Sequence, residues 1–422
     1  MKSVVWVSDR TELKSIDINT VGAAFLNESG REGNFSWRPG DFSARFSADP
    51  LEGVYVKSSN SAVSGAWVRA YEGPVSAKWF GAKGTGVGND TQAIQGAINL
   101  VESLGVGNYW STYFGEVVLP SGDYPVTGLV VKRPIVFGGA GAQSCSISLL
   151  NGSNANVVTL KAPEAQIPVS DTFRYSARLK GFAINGNAGG QTGTSNGIYI
   201  ENSSYDISAR YDGSALIEDV IVRATKDVGI YIGINRNYGA MRCVAVVYCR
   251  IGVQNNAYDW RITDCDFGNS SGPAYWQFMA GATHIIGTNV YMSSNDSGLV
   301  ISANVNAPCM ISGCYIDSHA MNGVYVEGNG SPGTRHVISG NIFRDNSASV
   351  DDTYAHIFSK NLKGSSFMNN CFVSTNTSKR AAYLVYSDLS KNLVWSASYE
   401  ATPGAGRPYV KAVCNDMSSL IS

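Results

Sequence analysis

The segment ISGCYIDSHAMNGVYV at residues 311–326 contains two short runs in which apolar residues alternate with other residues, separated by a polar turn. Alternation with a period of two is typical of β-strands that bury one face. From Val222 onward, copies of the first run follow one another at intervals of 21 to 30 residues. The nine copies are LKGFAIN (179–185), IEDVIVR (217–223), MRCVAVV (241–247), ITDCDFG (262–268), IGTNVYM (286–292), ISGCYID (311–317), ISGNIFR (338–344), MNNCFVS (368–374) and VWSASYE (394–400). A strand motif repeated at this period indicates a β-solenoid.

A further short strand follows many of these motifs. It reads GIYI at 197–200 and at 229–232, GLVI at 298–301 and GVYV at 323–326. Three strands in each repeat predict an all-β fold, a parallel β-helix with three strands per rung. A leucine-rich repeat is excluded, because its Leu-rich consensus is absent.

Equivalent residues of neighbouring rungs stack about 4.8 Å apart. In each motif, we expect the side chain two residues before the last apolar residue to point inward. Together these side chains, which are mostly small or amides, should form one stacked column. Its members are Val220, Val244, Cys265, Asn289, Cys314, Asn341, Cys371 and Ala397. We therefore expect Cys265, Cys314 and Cys371 to be buried and unpaired, as free cysteines in a core usually are.

Composition narrows the function. With 422 residues the chain exceeds one compact core, and stacking repeats account for its 46 glycines and its low charged fraction of 15%. The net charge of −1 argues against a nucleic-acid partner. The eight cysteines have no zinc-site spacing, so no metal or other cofactor is expected. Residues 1–14 contain no signal peptide, and no segment is apolar enough to span a membrane.

Residues 90–103 predict a capping α-helix at the front of the solenoid, where an exposed first rung would need a cover. Asp90 or Thr91 is a suitable N-cap. The apolar positions that follow share one helical face. They are Ile94, Ala97, Ile98 and Val101. The Gly-rich loop before the helix lacks the GK[ST] of a phosphate-binding loop.

The opening of the chain resembles the pectate-lyase-like superfamily, in the version common in bacteriophage tailspikes and capsule depolymerases. The residues that carry the resemblance are VSAKWFGAKGTGVGNDTQAIQGAI (75–98), GEVVLPSGDYPVTGLVV (115–131) and IVFGGAG (135–141). Thr85 and Asn89 stand where that family usually has Asp. The resemblance implies a right-handed β-helix, often a homotrimer, that acts on a polysaccharide and is located in a virion tail or released by lysis.

The resemblance also implies the domain order. Residues 1–75 are similar to the small β-rich domain that often precedes such a helix. We expect the β-helix over 76–400 and a C-terminal tail or cap over 401–422. The superfamily includes hydrolases, lyases and inactive binders, so catalytic residues have to be inferred from this sequence.

The best cluster of outward carboxylates lies in the turns before the third strand of consecutive rungs. Asp317 is expected directly beneath Arg344, with Asp296 one rung below and Asp345 one residue beyond Arg344. We predict that Asp317 and one of the other two carboxylates form an acid and base pair, as glycoside hydrolysis requires. Arg344 should lower the pKa of Asp317 and keep it ionised. His319, in the same turn, is predicted with Arg344 to bind the substrate.

Alternatives exist for each assignment. The Asp317–Arg344 pair would also be an ordinary surface ion pair, and Asp is common in turns. Asp219, Asp264 and Asp266 form a rival group, and the adjacent Asp351 and Asp352 are too few for a Ca²⁺ site.

Tyr199, Tyr231 and Tyr325 occupy equivalent outward positions on the third strand, where they would contact sugars or simply pack on one another. The sequence therefore predicts an endo-acting glycoside hydrolase of a bacterial surface polysaccharide. A lyase acting on a uronic-acid polymer and a non-catalytic polysaccharide-binding fibre are the alternatives.

Overall fold

A computed structural model describes residues 3–60, 64–105, 115–162, 176–204, 214–329, 334–350, 353–375, 381–388, 390, 394–401 and 413–414. The predicted C-terminal cap at 401–422 lies outside these residues, apart from Ala401 and a short strand at Val413–Cys414. Asp351 and Asp352 also lie outside them.

The N-terminal part is a five-stranded sheet with two short helices. Its outer strand Ser3–Val7 pairs in parallel with the next strand in the sheet, and the remaining pairs are antiparallel. The strands are Ser3–Val7, Val21–Leu26, Gly33–Pro39, Tyr55–Lys57 and Gly65–Arg69, and the helices are Arg10–Ser15 and Ser43–Ala48. This arrangement fits the small β-rich domain that the sequence predicts.

The capping helix spans Thr91–Leu104 and follows a 3₁₀ turn at Ala77–Phe80. Its predicted apolar face is buried in the core of the solenoid, with Ile94 and Ile98 fully buried. Asp90 is the N-cap residue, but its carboxylate accepts from the backbone N–H groups of Lys83 and Gly84 at 2.8 and 3.0 Å. Asp90 therefore stabilises the Gly-rich loop, while Asn89 Oδ1 accepts from Thr91 N.

The rest of the described chain is a parallel β-helix with three strands per rung, as predicted. The first and second strands of the rungs form a sheet of 18 strands and, from Gly181 to Asn369, meet at a bend with a left-handed residue, while the third strands form a sheet of 11. In five places the chain runs through the bend as a single strand: Ser176–Asn185, Ser214–Arg223, Ala240–Val247, Ser366–Ser374 and Val394–Ala401.

The remaining strands of the solenoid are short. Separate first strands are Val75–Ser76, Glu116–Leu119, Val136–Gly139, Arg261–Thr263, His284–Ile286, Met310–Ser312 and Val337–Ser339. Separate second strands are Gly122–Val126, Cys145–Leu149, Asp266–Gly268, Asn289–Tyr291, Tyr315–Asp317 and Ile342–Arg344. Third strands are Leu129–Val131, Val158–Leu160, Ile198–Ile200, Val228–Ile232, Ile251–Asn255, Tyr275–Gln277, Leu299–Ile301, Val324–Glu327, Ala355–Lys360, Tyr383–Asp388 and Val413–Cys414.

The bend between first and second strands requires a left-handed backbone, which favours Gly, Asn and Asp. Eight stacked bends have φ between 49° and 68°: Gly181, Asp219, Cys243, Asp264, Gly287, Gly313, Gly340 and Asn369. Asp219 and Asp264 thus occupy positions that the backbone geometry explains. This weakens the case for the rival catalytic group to which they belong.

The predicted inward column of small and amide side chains exists, but the residue assigned to it was wrong at two rungs. Thr288 and Asn370 are buried where Asn289 and Cys371 were expected, because Val290 and Phe372 pair with the inward residues of the neighbouring rungs. Asn341 forms the expected amide ladder, with its N–H groups donating to Asn370 Oδ1 at 3.1 and 3.0 Å. Cys265 and Cys314 are buried free thiols as predicted, whereas Cys371 faces outward and is half-buried.

No helix among the described residues has the length and apolar character needed to cross a membrane.

Candidate functional site

A cleft of about 820 Å³ opens on the outer face of the third-strand sheet. One aligned column of outward residues runs along this face. In rung order it reads Thr159, Tyr199, Tyr231, Gln254, Trp276, Val300, Tyr325, Phe358 and Tyr386. The three tyrosines predicted to be equivalent do share this column.

Most aromatic rings of this column stack face to face. The centroids of Tyr199 and Tyr231 are 4.8 Å apart, and those of Tyr325 and Phe358 are 5.3 Å apart with an interplanar angle of 4°. Phe358 stacks in turn on Tyr386 at 5.1 Å. Faces that stack on one another are closed to a ligand, so cross-strand packing accounts for much of the column.

The stack is interrupted at Val300, and the cleft lies at that interruption. Trp276 and Tyr325 stand one rung below and one rung above Val300, which leaves a gap of about 10 Å between them, roughly twice a ring-stacking distance. The Tyr325 face opposite Phe358 is turned toward this gap. Trp276 is held by a 2.7 Å hydrogen bond from its Nε1 to Ser302 Oγ. Trp276 and Tyr325 thus line the cleft on either side of Val300.

Asp296 lines the same cleft, in the turn just before Val300. Its Oδ1 accepts from the Ser297 N–H at 2.7 Å, and its backbone oxygen accepts from the Met321 N–H at 3.2 Å. Burial raises the pKa of the Asp296 carboxyl, because removal from water disfavours the charged form. A half-buried acid beside aromatic walls is suited to donate a proton to a leaving group.

The other predicted carboxylates lie together outside this cleft, at the ends of second strands. Arg344 is aligned directly with Asp317, as predicted, and Tyr291 is the neighbour of Asp317 on the other side. Arg344 Nη1 is 3.9 Å from Asp317 Oδ2 and donates to the Tyr315 hydroxyl at 3.0 Å. Ser318 Oγ donates to Asp317 Oδ1 at 2.7 Å.

The predicted pKa shift of Asp317 has the wrong sign. Burial raises the pKa of Asp317, and this effect exceeds the opposing hydrogen bond from Ser318 and the charge of Arg344. Arg344 is two-fifths exposed and nearly 4 Å away, so water weakens its influence on the carboxyl.

Asp345 is the carboxylate closer to Arg344. Its Oδ2 is 3.3 Å from Arg344 Nε, closer than the Asp317 oxygen. Both Asp345 oxygens also accept from Thr375, Oδ1 from the backbone N–H at 2.6 Å and Oδ2 from the hydroxyl. The side chain is therefore fixed and nearly buried, which suits a residue that positions Arg344.

His319 was predicted to bind substrate, and the structure corrects this. The side chain is fully buried, its Nδ1 accepts from the Ser293 N–H at 3.1 Å and its Nε2 lies 3.1 Å from the Val290 carbonyl. Burial lowers the pKa of the imidazole to about 4. His319 is a neutral core residue out of reach of a surface polysaccharide.

The rival carboxylate Asp266 accepts from Asn289 Nδ2 at 2.7 Å on the outer face of the second strands. Sequence reasoning missed several residues of the cleft, namely Arg250, Trp276, Met321, Tyr354, Phe358, Tyr386 and Asp388. Extending the GIYI alignment through AYWQ, HIFS and LVYS would have found the three aromatic residues of the column. Among the described residues, no group of three or more His, Cys, Asp or Glu side chains is placed to share a metal ion.

Residues 75–166 match the family model described as rhamnogalacturonase A/epimerase, pectate lyase-like. Alginate lyase 7 from Azotobacter vinelandii is 39% identical over 83 residues, which are 18% of this chain and 9% of that relative.

Two solved structures share the fold over most of the chain. The enzymatically active domain of tailspike protein 2 from bacteriophage CBA120 is 18% identical with a TM-score of 0.69, covering 92% of this chain and 56% of that one. The A-module of mannuronan C-5 epimerase AlgE4 from Azotobacter vinelandii is 17% identical with a TM-score of 0.57, covering 77% and 95%. The chain thus spans little more than half of the tailspike domain. The described chain has the right-handed parallel β-helix fold that these two structures share, and residues 75–166 are similar to the pectate-lyase-like family.

Proposed function

We propose that the chain binds and depolymerises a bacterial surface polysaccharide, a capsule, exopolysaccharide or O-antigen, by endo-acting hydrolysis. The observation that carries this proposal is the cleft at Val300, where a half-buried acid, Asp296, meets the aromatic walls Trp276 and Tyr325. Sugar rings present apolar faces to aromatic walls, and a glycosidic oxygen needs a proton as its bond to carbon breaks.

In the proposed reaction the Asp296 carboxyl protonates the glycosidic oxygen, the bond from that oxygen to the anomeric carbon breaks, and water adds to the carbon. The raised pKa keeps Asp296 protonated over a wider pH range, as a general acid needs.

Asp317 is the proposed base that takes the proton from the attacking water. Its raised pKa makes the ionised carboxylate a stronger base, and Arg344 beside it favours that ionised form. It stands one rung beyond Asp296, and Met321, four residues later, contacts the Asp296 backbone. Asp317 ends a second strand and Asp296 precedes a third strand, so the turn at residues 318–321 has to fold tightly for the two carboxyl groups to come within the roughly 6.5–9.5 Å that inversion requires. Asp345 acts as a positioning residue for Arg344.

The comparisons support this proposal at the level of fold and substrate type. The tailspike neighbour is described as enzymatically active, and the other relatives are an alginate lyase and a mannuronan epimerase. We also propose that the chain forms a homotrimer in a virion tail, which light scattering would test through the mass in solution.

The second candidate is a polysaccharide lyase. The 83-residue similarity to an alginate lyase favours it, together with the partly exposed Arg344, a cation of the kind that neutralises a uronate carboxylate. A lyase releases an unsaturated product that absorbs ultraviolet light, whereas a hydrolase does not. A non-catalytic fibre would bind the polymer without releasing reducing ends.

The test is incubation with a panel of purified bacterial capsules, exopolysaccharides and O-antigens, with chain length, reducing ends and ultraviolet absorbance measured on each. Asp296→Asn should lose cleavage and keep binding. Asp264→Asn is the matched control, because its bend position accepts Asn, as Asn369 shows. Cleavage of no polymer in the panel would contradict the proposed function.

A further inference from the structure

Two lysines on the third-strand face are already paired with carboxylates of the protein. Lys161 Nζ is 2.7 Å from Glu201 Oε1, and Lys360 Nζ is 3.0 Å from Glu327 Oε1. The Tyr325 hydroxyl also donates to Glu327 at 3.1 Å. These cations are therefore engaged before any ligand arrives.

The charged side chains that line the cleft include more acids than bases. Among the described residues that line it, Arg250 carries the only positive charge, and Asp296 and Asp388 are the acids. Arg250 Nε is 3.2 Å from Asp227 Oδ1, so this cation too has a carboxylate partner. Asp388 has no described cation within 4 Å, although the charge of its register neighbour Lys360, which is bonded to Glu327, still acts on it.

A uronic-acid residue would be disfavoured in such a cleft. Its carboxylate would lose water in a cleft lined by Asp296 and Asp388, where the single cation among the described lining residues is already paired. Elimination by a lyase also needs the uronate carboxylate to be neutralised before the neighbouring proton can be removed. The cleft lacks the group for that step among its described residues.

We infer that the sugar residues bound in the cleft are uncharged, neutral hexoses or N-acetylhexosamines, and that cleavage there is hydrolytic. This inference rests on the proposed function, because it names the substrate class of the same site. Sugars that lie outside the cleft are not constrained by it. Binding should then depend little on ionic strength, since salt screens charge pairs but not ring stacking.

The experiment starts from whichever polysaccharide of the panel is cleaved. If that polymer is neutral, its primary hydroxyls are oxidised to carboxylates, and the oxidised form should bind at least about 10-fold more weakly in affinity electrophoresis. If the polymer contains uronates, its carboxyls are reduced, and the reduced form should bind as tightly or more tightly. Reducing ends should appear without unsaturated products.

Two variants sharpen the test. Asp388→Asn removes one of the two negative charges of the cleft, so it should narrow the difference in binding between the charged and neutral forms of the polymer. Asp41→Asn, on the exposed surface of the N-terminal part, is the matched control and should leave that difference unchanged.

Equal or tighter binding of the oxidised polymer, or loss of binding on carboxyl reduction, would overturn the inference while the proposed function stands. If no polymer is cleaved, the proposed function fails and the inference with it. The two failures are therefore distinguishable.

Discussion

Replacement of Asp296 by Asn should abolish most turnover while the fold and the binding of polysaccharide persist. The amide oxygen of Asn can still accept the 2.7 Å hydrogen bond from the Ser297 N–H, so the turn keeps its shape. What is lost is the transferable proton. A general acid contributes about 10²–10⁴-fold to a rate, or roughly 3–5 kcal/mol of transition-state stabilisation.

The same substitution should not lower the stability of the protein at neutral pH. Burial raises the folded-state pKa of Asp296 above its unfolded value. Its contribution to stability is then fully present below the unfolded pKa and is lost as the pH rises through the folded pKa. Because Asn does not ionise, the variant should melt at the same temperature as the wild type or higher at neutral pH.

The assay combines reducing-end release on the cleaved polymer, affinity electrophoresis and thermal unfolding, with Asp264→Asn measured alongside. We expect kcat to fall at least about 100-fold in Asp296→Asn, with unchanged binding and normal melting. Turnover near the wild-type level in a folded Asp296→Asn protein would refute the assignment, and the site would then be sought at Asp317 and Arg344.

Asp317→Asn should reduce kcat about 10³-fold without loss of polysaccharide binding, which steady-state kinetics would measure. A reduction of kcat no larger than that of the control Asp264→Asn would contradict the role of Asp317 as base. Acidification from pH 6.5 toward 4 should destabilise the protein, since burial lowers the folded pKa of three histidines to about 4 and their stabilising effect is lost as the pH falls through that window. These residues are His319, His336 and His356. Denaturant unfolding at each pH tests this, and a free energy of unfolding that stays constant from pH 6.5 to 4 would contradict it. A thiol reagent should label the exposed Cys243 in the native protein before the buried Cys314, and mass spectrometry of the labelled peptides would show the reverse order if the register were wrong.

The solenoid could be predicted from the sequence because the same strand pattern recurs in every rung. Inward residues must be small or apolar wherever strands stack, so alternation and spacing alone identify the three strands. The register slipped by one residue where two neighbours are both apolar. At Val290 and Tyr291, and again at Phe372 and Val373, alternation cannot tell which of the pair is inside.

The site was harder to predict because turns have no period. The sequence placed Asp317 beneath Arg344 correctly, since both are strand residues. His319 lies two residues farther on, and the path of its turn carries it into the core. The pKa of Asp317 depends on how much water its turn excludes, which spacing does not reveal. The cleft lies where one smaller residue, Val300, interrupts the aromatic column. A search for outward aromatic side chains does not detect such an interruption.

The most direct test of the proposed site is a crystal structure of Asp296→Asn bound to an oligosaccharide from its cleaved polysaccharide. We expect a sugar ring between Trp276 and Tyr325, with a glycosidic oxygen about 2.6–3.2 Å from the side chain of residue 296. An oligosaccharide bound instead on the second-strand face, against Arg344 or Asp266 with the cleft at Val300 empty, would contradict it.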